Sequence, residues 1–368
     1  MVVTPIQTAL QDKILAGDRI TRDEARALYT LPLHELGALA DARRRLKKAA
    51  AYGGRGEKIV TYIVDRNVNY TNICNVYCKF CGFYRTEKDA DAYVISFDDL
   101  DRKITELVEA GGTQILMQGG HHPKLQFDWY LKLLSHIKST FPTVNIHGFS
   151  PPEFNHFADV FQMPIRDIIR EFKAAGLGSI PGGGGEILVD AIRNRIAPLK
   201  CNADQWLNVM QIAHEEGLNS SATMMFGHVE SFEDRLEHLG RLRDQQDRTG
   251  GFTAFICWTF QRDANIPLKA ETVGSHEYLK MQAISRIFLD NFGNVQASWV
   301  TQGPKVGQLA LKFGANDFGS LMMEENVVSS VGTTFRMTLD EMRRLITEAG
   351  YEPRQRNNWY ELIDKKEI

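Results

Sequence analysis

The chain has 368 residues, 43% of them hydrophobic and 24% charged, an ordinary globular composition that can bury a sizeable core without disulfide staples. A formal net charge of −3 and a pI of about 6.4 exclude the broad basic surface of a nucleic-acid binder. The start, MVVTPIQTALQDK, lacks a basic stretch followed by an apolar run, and no segment approaches roughly 18 uninterrupted apolar residues, so neither a signal peptide nor a membrane span is predicted.

The first 57 residues read as a helical extension. Thr21-Arg-Asp-Glu24 has the form of a capping box, and Ala25, Leu28 and Tyr29 follow at helical spacing. AYGGRGEK (51–58) marks a boundary. From 58 to 322 the texture changes. Strands are predicted at IVTYIV (59–64), TQILMQ (113–118), VNIHGF (144–149), GLGSIP (176–181), SSATMMF (220–226), FTAFICWTF (252–260), NVQASWV (294–300) and ANDFG (315–319). Helices are predicted between most of them, at 97–110, 127–140, 165–175, 204–216, 231–249 and 275–291. Strands separated by helices imply parallel pairing through crossovers, so the expected fold is α/β, a (β/α)8 TIM-type barrel that can be partly open. Residues 323–368 form a C-terminal extension packed on the barrel. It contains a second capping box, Thr338-Leu-Asp-Glu341, and Gly350 suits a left-handed helix cap.

Barrel enzymes work at the C-terminal ends of their strands. The end of the first strand leads into NICNVYCKFCGFYR (72–85), which carries Cys74, Cys78 and Cys81 in a C-x3-C-x2-C spacing. Five cysteines with three of them clustered fit a reducing compartment and a metal site, and a cytoplasmic location is expected. Thiolates are the usual ligands of iron–sulfur clusters. Three cysteines hold three irons of a [4Fe–4S] cluster and leave the fourth for an outside chelator. The alternative is a zinc or redox-labile site, but no fourth Cys or His follows within the loop to close one. Cys257 reads as a small buried residue, and Cys201 is not assigned to the cluster. GGGGE (182–186) lacks the Lys-Ser/Thr of a P-loop and the spacing of a dinucleotide fingerprint, so close backbone approach to a ligand is the better use of these glycines.

The C-x3-C-x-Φ-C pattern, with Phe80 in the apolar slot, resembles the radical S-adenosylmethionine superfamily. Further segments extend the likeness over most of the chain: VDRNVNYTNIC, GGGGEIL, TMMFGHVE, QDRTGGFTAFICWTFQ, QASWVTQG, GANDFGS and EENVV. Together they resemble the cyclic dehypoxanthinylfutalosine synthases of menaquinone biosynthesis. WTFQ (258–261), SWVTQG (298–303) and NDFGS (316–320) favour that family over its sister, the aminofutalosine synthases. A non-catalytic iron–sulfur protein is the distant alternative.

The resemblance implies a [4Fe–4S] cluster on Cys74, Cys78 and Cys81, with S-adenosylmethionine as the chelator of the open iron. Phe80, Tyr84, Gln118, Gly119, Gly120 and Glu186 are the expected cofactor contacts. The glycine pair presents backbone to the methionyl amino group, and Glu186 accepts from a ribose hydroxyl or is a plain surface carboxylate. The implied reaction takes a hydrogen from C4′ of the ribose of dehypoxanthine futalosine and joins that carbon to the benzoate ring. Loss of an electron and a proton restores aromaticity. Arg85, Trp258, Ser298, Thr301 and Gln302 are the expected substrate contacts, chosen as partners for a carboxylate or an aromatic ring. Trp299 is a second ring partner or core. His121-His122 bind a carboxylate or cap a loop. His228 is the expected proton-accepting base, or a structural histidine, and Asp317 is its rival. An external electron donor such as a flavodoxin or ferredoxin is implied as a partner.

Overall fold

The computed structural model describes residues 5–332 and 335–363. Among them ten strands form one sheet in which each neighbouring pair is parallel: β1 (Ile59–Ile63), β2 (Asp65–Val68), β3 (Gln114–Met117), β4 (Asn145–Gly148), β5 (Leu177–Ile180), β6 (Asn219–Phe226), β7 (Phe252–Thr259), β8 (Val295–Gln296), β9 (Asp317–Ser320) and β10 (Glu352–Gln355). The order is β10-β1-β9-β8-β7-β6-β5-β4-β3-β2.

β1 runs into β2 through Val64 alone. The Ile63 and Asp65 carbonyls accept from the N–H groups of Leu321 (2.8 Å) and Met323 (3.2 Å) on one edge. The Tyr62 and Val64 carbonyls accept from Arg356 (2.9 Å) and Thr113 (3.1 Å) on the other. The run 59–68 therefore has β9 along one side, with β10 and then β3 along the other. Taken as one strand, it joins the two ends of the sheet into an eight-stranded (β/α) barrel, and β10 is an addition at its lower edge. The seam is thin at β8, which has two residues and meets β9 through the single pair Gln296↔Asp317.

The crossovers are helical as the sequence predicts, for example Phe97–Glu109, Phe127–Thr140, Ile165–Ala175 and Phe232–Thr249. The expected capping box forms in full at Thr21 with Glu24, and at Thr338 the hydroxyl accepts the Glu341 N–H. Gly350 takes φ +86° past the last helix. No helix among the described residues is long and apolar enough to cross a membrane.

Three elements depart from the expectation. β2 reads DRNV, too polar to announce a strand, because Asp65 and Asn67 face a cavity while Arg66 points out to Glu106 and Glu324. β10 contains Pro353, which a strand tolerates only at a sheet edge. It comes from the C-terminal extension, which thereby supplies part of the wall as well as packing on it. The eighth strand stops at Gln296 where NVQASWV predicts extension to Val300. The Tyr278 hydroxyl accepts the Ser298 N–H (2.8 Å), and the chain turns at once into a helical segment, Trp299–Gln302.

Side chains alternate along each strand, so every second residue points inward. Asp65, Asn67, Gln114, Leu116, His147, Ser221, Thr223, Ala254, Ile256 and Trp258 obey that alternation and line the barrel interior.

Candidate active site

Two cavities of about 280 Å³ each lie in the barrel. The outer one is lined by Cys74, Cys78, Cys81, Phe80, Tyr84, Gly119, Gly120, Glu153, Glu186 and Lys200. The inner one lies within the strands. Gln118, Gly183, Trp258, Thr301, Val327 and Val328 line both, so the two cavities adjoin at these residues.

The cysteine loop is built by backbone pairing. Ile73 bridges Arg85, Cys74 N–H donates to the Arg85 carbonyl (3.0 Å), and Arg85 N–H donates to the Asn72 carbonyl (2.8 Å). The cysteines are free thiols, and all three border the outer cavity. Burial pushes the Cys74 thiol up and the Cys78 thiol up to about 12, so they become thiolates only when a cation or cluster iron stabilises the charge. A [4Fe–4S] cluster would take one of these thiolates on each of three irons.

The glycine pair fits tightly. A Cβ on Gly120 would lie 2.1 Å from the Ile73 carbonyl oxygen, and one on Gly119 would lie 2.5 Å from the Tyr70 ring. The Gly119 N–H donates to Glu153 Oε1 (3.1 Å) and the Gly120 N–H to the Thr71 carbonyl (2.9 Å), so the pair offers a ligand carbonyl oxygens, suited to an ammonium group. Glu153 is placed by a capping box. Its Oε2 accepts from the Ser150 N–H (2.7 Å) and hydroxyl (2.6 Å), leaving Oε1 for the Tyr70 hydroxyl (2.8 Å) and Gly119. Glu186 has φ +32° and lines the outer cavity, with Lys200 Nζ donating to its Oε1 at 2.7 Å. Lys200 also sits 5.1 Å from the Phe80 ring centroid. The residues present therefore fit a [4Fe–4S] cluster with an aminoacyl nucleoside beside it.

Trp258, Ser298 and Thr301 line the inner cavity, and the Ser298 and Thr301 hydroxyls share a hydrogen bond of 2.9 Å. Trp299 also borders it, but is fully buried, with its indole N–H donating to the Ser320 carbonyl (2.9 Å). Gln302 stands one step behind, donating to Thr259 Oγ1 (2.6 Å) and Thr301 Oγ1 (3.2 Å).

Three expected site residues, Arg85, His228 and Asp317, line neither cavity, and the histidine pair divides. Arg85 borders neither cavity. It pairs with Asp91 (2.7 Å) and donates to the Tyr84 and Gly82 carbonyls, so it staples the cysteine loop. Its ion pair is partly exposed and contributes little stability. Arg85→Ala is expected to change the substrate KM less than about twofold while the reconstituted cluster loses iron faster to a chelator; a large KM increase with normal cluster retention would restore the substrate role. The His228 side chain is fully buried, with Nδ1 against Glu230 Oε2 (3.0 Å) and Nε2 at 3.2 Å from the Met225 carbonyl. Burial would raise Glu230, but His228 and Arg235 outweigh it and hold that carboxyl at about 2. Asp317 is fully buried beneath the cavity against Arg356 and Thr61. Of the histidine pair, His121 borders the outer cavity, while His122 caps the loop, its Nδ1 accepting from the Lys124 and Leu125 N–H groups (3.1 and 3.2 Å).

Asp65, His147, Lys200 and Arg356 were not singled out from the sequence. For Asp65 and His147 the available signal was strand alternation. Asp65 shares the phase of Asn67, and His147 lies mid-strand in an otherwise apolar run.

The comparisons agree with this geometry. Residues 68–242 match the radical SAM superfamily model, and residues 249–368 match the CofH/MqnC C-terminal region. The chain is 45% identical to the cyclic dehypoxanthine futalosine synthase of Halalkalibacterium halodurans, over 96% of this chain and 94% of the relative. It is 47% identical to the enzyme of the same name from Streptomyces coelicolor, over 95% of this chain and 87% of the relative. The aminodeoxyfutalosine synthase of Thermus thermophilus is 36% identical over 95% of this chain and 94% of its own length. The crystal structure of methylornithine synthase superposes with a TM-score of 0.72 at 16% identity, covering 94% of this chain and 97% of that one, which supports the barrel fold alone. The chain belongs to the cyclic dehypoxanthine futalosine synthase family of the radical S-adenosylmethionine superfamily.

Proposed function

We propose that the enzyme converts dehypoxanthine futalosine to its cyclic product by joining ribose C4′ to the benzoate ring, as a radical S-adenosylmethionine cyclase. The carrying observation is that the cysteine-lined outer cavity adjoins the inner cavity across Gln118, Trp258 and Thr301. When bound, the cluster and S-adenosylmethionine supply a primary carbon radical that abstracts hydrogen. The protein's work is placement, which can account for a large part of the barrier reduction.

The Gly119 and Gly120 carbonyls would receive the methionyl ammonium, and Glu186 would accept from the cofactor's ribose. Tyr84 and Phe80 shield the loop side. The inner cavity is near the lower end of ordinary small-molecule sites, about 300–1,000 Å³. Trp258 and the Ser298 and Thr301 hydroxyls line it, and they are the groups a substrate radical held there would meet. Ser298, Thr301 and Gln118 are the polar groups nearest the junction, and they orient ribose or carboxylate oxygens. The electron donor is an external one-electron carrier such as a flavodoxin or ferredoxin.

The test is anaerobic reconstitution with iron and sulfide, followed by S-adenosylmethionine, reductant and dehypoxanthine futalosine. Mass spectrometry should show 5′-deoxyadenosine and a product lighter than substrate by two hydrogens. Turnover only with an enolpyruvyl benzoate substrate would place the activity with the sister enzymes instead. Glu186→Gln keeps an acceptor for Lys200 but gives up charge at the ribose. It is expected to weaken S-adenosylmethionine binding about tenfold, the effect of one charge-assisted hydrogen bond. Unchanged binding by calorimetry would make Glu186 a structural partner of Lys200 only.

A further inference from the structure

Rearomatising the ring requires a base, and neither His228 nor Asp317 reaches the cavity where the ring must sit. The titratable groups that do border the inner cavity are Asp65, His147, Glu325, Arg356 and Tyr360. Arg356 is committed to Asp317, through Nε (2.6 Å) and Nη2 (3.0 Å). Glu325 receives the N–H groups of Val327, Val328 and Ser329 at 2.6–2.8 Å. Burial holds the Tyr360 hydroxyl firmly protonated. His147 places Nδ1 against the Ser179 hydroxyl (2.7 Å), and burial lowers it to about 3, which keeps it neutral and makes it a poor proton acceptor.

Asp65 differs from all of these. It opens β2, where the strand phase turns its carboxylate into the cavity. One oxygen accepts from the Ser320 hydroxyl, and the other has only a long contact to Gln114 Nε2 (3.4 Å). A buried carboxylate with an under-used oxygen facing a ligand cavity is well placed to receive a proton. We propose that Asp65 is the base that removes the ring proton after the new C–C bond forms, an assignment that rests on the cyclase reading above.

The step balances as follows. Closure leaves a cyclohexadienyl radical on the substrate with one hydrogen at the newly bonded ring carbon. That C–H bond breaks, its proton passes to an Asp65 oxygen, and its electron pair enters the ring. The surplus electron of the resulting arene radical anion leaves to a one-electron acceptor of the iron–sulfur or flavin class. The groups facing Asp65 are Ser320 and Asp317 from β9, Gln114 from β3 and Arg356 from the C-terminal segment, with neutral His147 from β4 lining the same cavity. Burial dominates them and lifts the Asp65 carboxyl to about 6, so at neutral pH it is ionised but basic enough to act. Below that value it is protonated and cannot accept.

The experiment measures cyclised product per 5′-deoxyadenosine in the reconstituted enzyme. With C4′-deuterated substrate, Asp65→Asn should still move deuterium into 5′-deoxyadenosine, while cyclised product per event falls about 10²-fold, the usual contribution of a general base. Asp65→Glu should recover part of it. In the unaltered enzyme the same ratio should fall as pH drops through about 6. A wild-type ratio in Asp65→Asn, or a ratio flat from about pH 5 to about pH 8 in the unaltered enzyme, overturns the assignment. If Asp65→Asn does not fold or load its cluster, the pH profile of the unaltered enzyme decides alone. Failure of the underlying reading looks different: the unaltered enzyme would then give no cyclised product at any pH.

Discussion

Changing Cys78 to alanine is expected to abolish both the visible absorption of the reconstituted cluster and product formation, while the apo-protein keeps its fold. The loop holding the cysteines is fixed by Cys74 to Arg85 and Arg85 to Asn72 backbone bonds, by the Ile73–Arg85 bridge, and by the Arg85–Asp91 ion pair. None of these involves the Cys78 sulfur, so the apo-protein should lose only about 1 kcal/mol, in the range of an ordinary point substitution. The cluster has no such reserve. Three thiolates serve four irons, and removing one leaves two protein ligands. The loss of product should be complete within detection, whereas Cys201→Ala and Cys257→Ala should retain the cluster. Cys201 lies beside the Arg193 guanidinium (3.8 Å), and Cys257 donates to Gln282 within the helical layer (3.3 Å). Retained absorption and turnover in Cys78→Ala would show that the ligand set is wrong.

The cluster loop was legible because its information is local. Three cysteines and an apolar slot lie within eight residues, after a strand whose apolar run is plain. The long strands β6 and β7 were legible for the same reason. What escaped were elements whose pattern answers to distant partners. β2 is polar because it faces a cavity, and β10 is polar and proline-bearing because it lies at an edge. Site residues follow the same rule. A charged group at a strand end reads as chemistry until its partner is known. For Asp317 that partner is Arg356, 39 positions away, and for Arg85 it is Asp91 together with the loop's own carbonyls. His228 was closer to readable, since Glu230 lies two residues on and the pair can meet without any tertiary contact. Asp65 was hidden by its setting in VDRNVN, where two charged residues in a row point to opposite faces.

Asp317→Ala is expected to destabilise the fold by about 3–5 kcal/mol, the cost of leaving a buried charge without its partner. Asp317 is fully buried. It accepts from Arg356 Nε (2.6 Å) and Nη2 (3.0 Å), from the Thr61 hydroxyl (2.5 Å), and from the Gly319 N–H (3.0 Å). Arg356 is 5% exposed, so water cannot replace the lost carboxylate. The effect should show as a lower denaturant midpoint. Replacing both residues, Asp317→Ala with Arg356→Met, should recover part of it, because the stranded charge goes with its partner. Function is linked through the cavity floor. Arg356, Asn358 and Tyr360 border the inner cavity from the C-terminal segment, and Arg356 stacks on Tyr360 (3.9 Å). Freeing that segment should raise the substrate KM while leaving S-adenosylmethionine binding intact, since the outer cavity has none of these residues in its wall. A variant of normal stability whose cyclisation alone fails would return Asp317 to the chemistry and remove the case for Asp65.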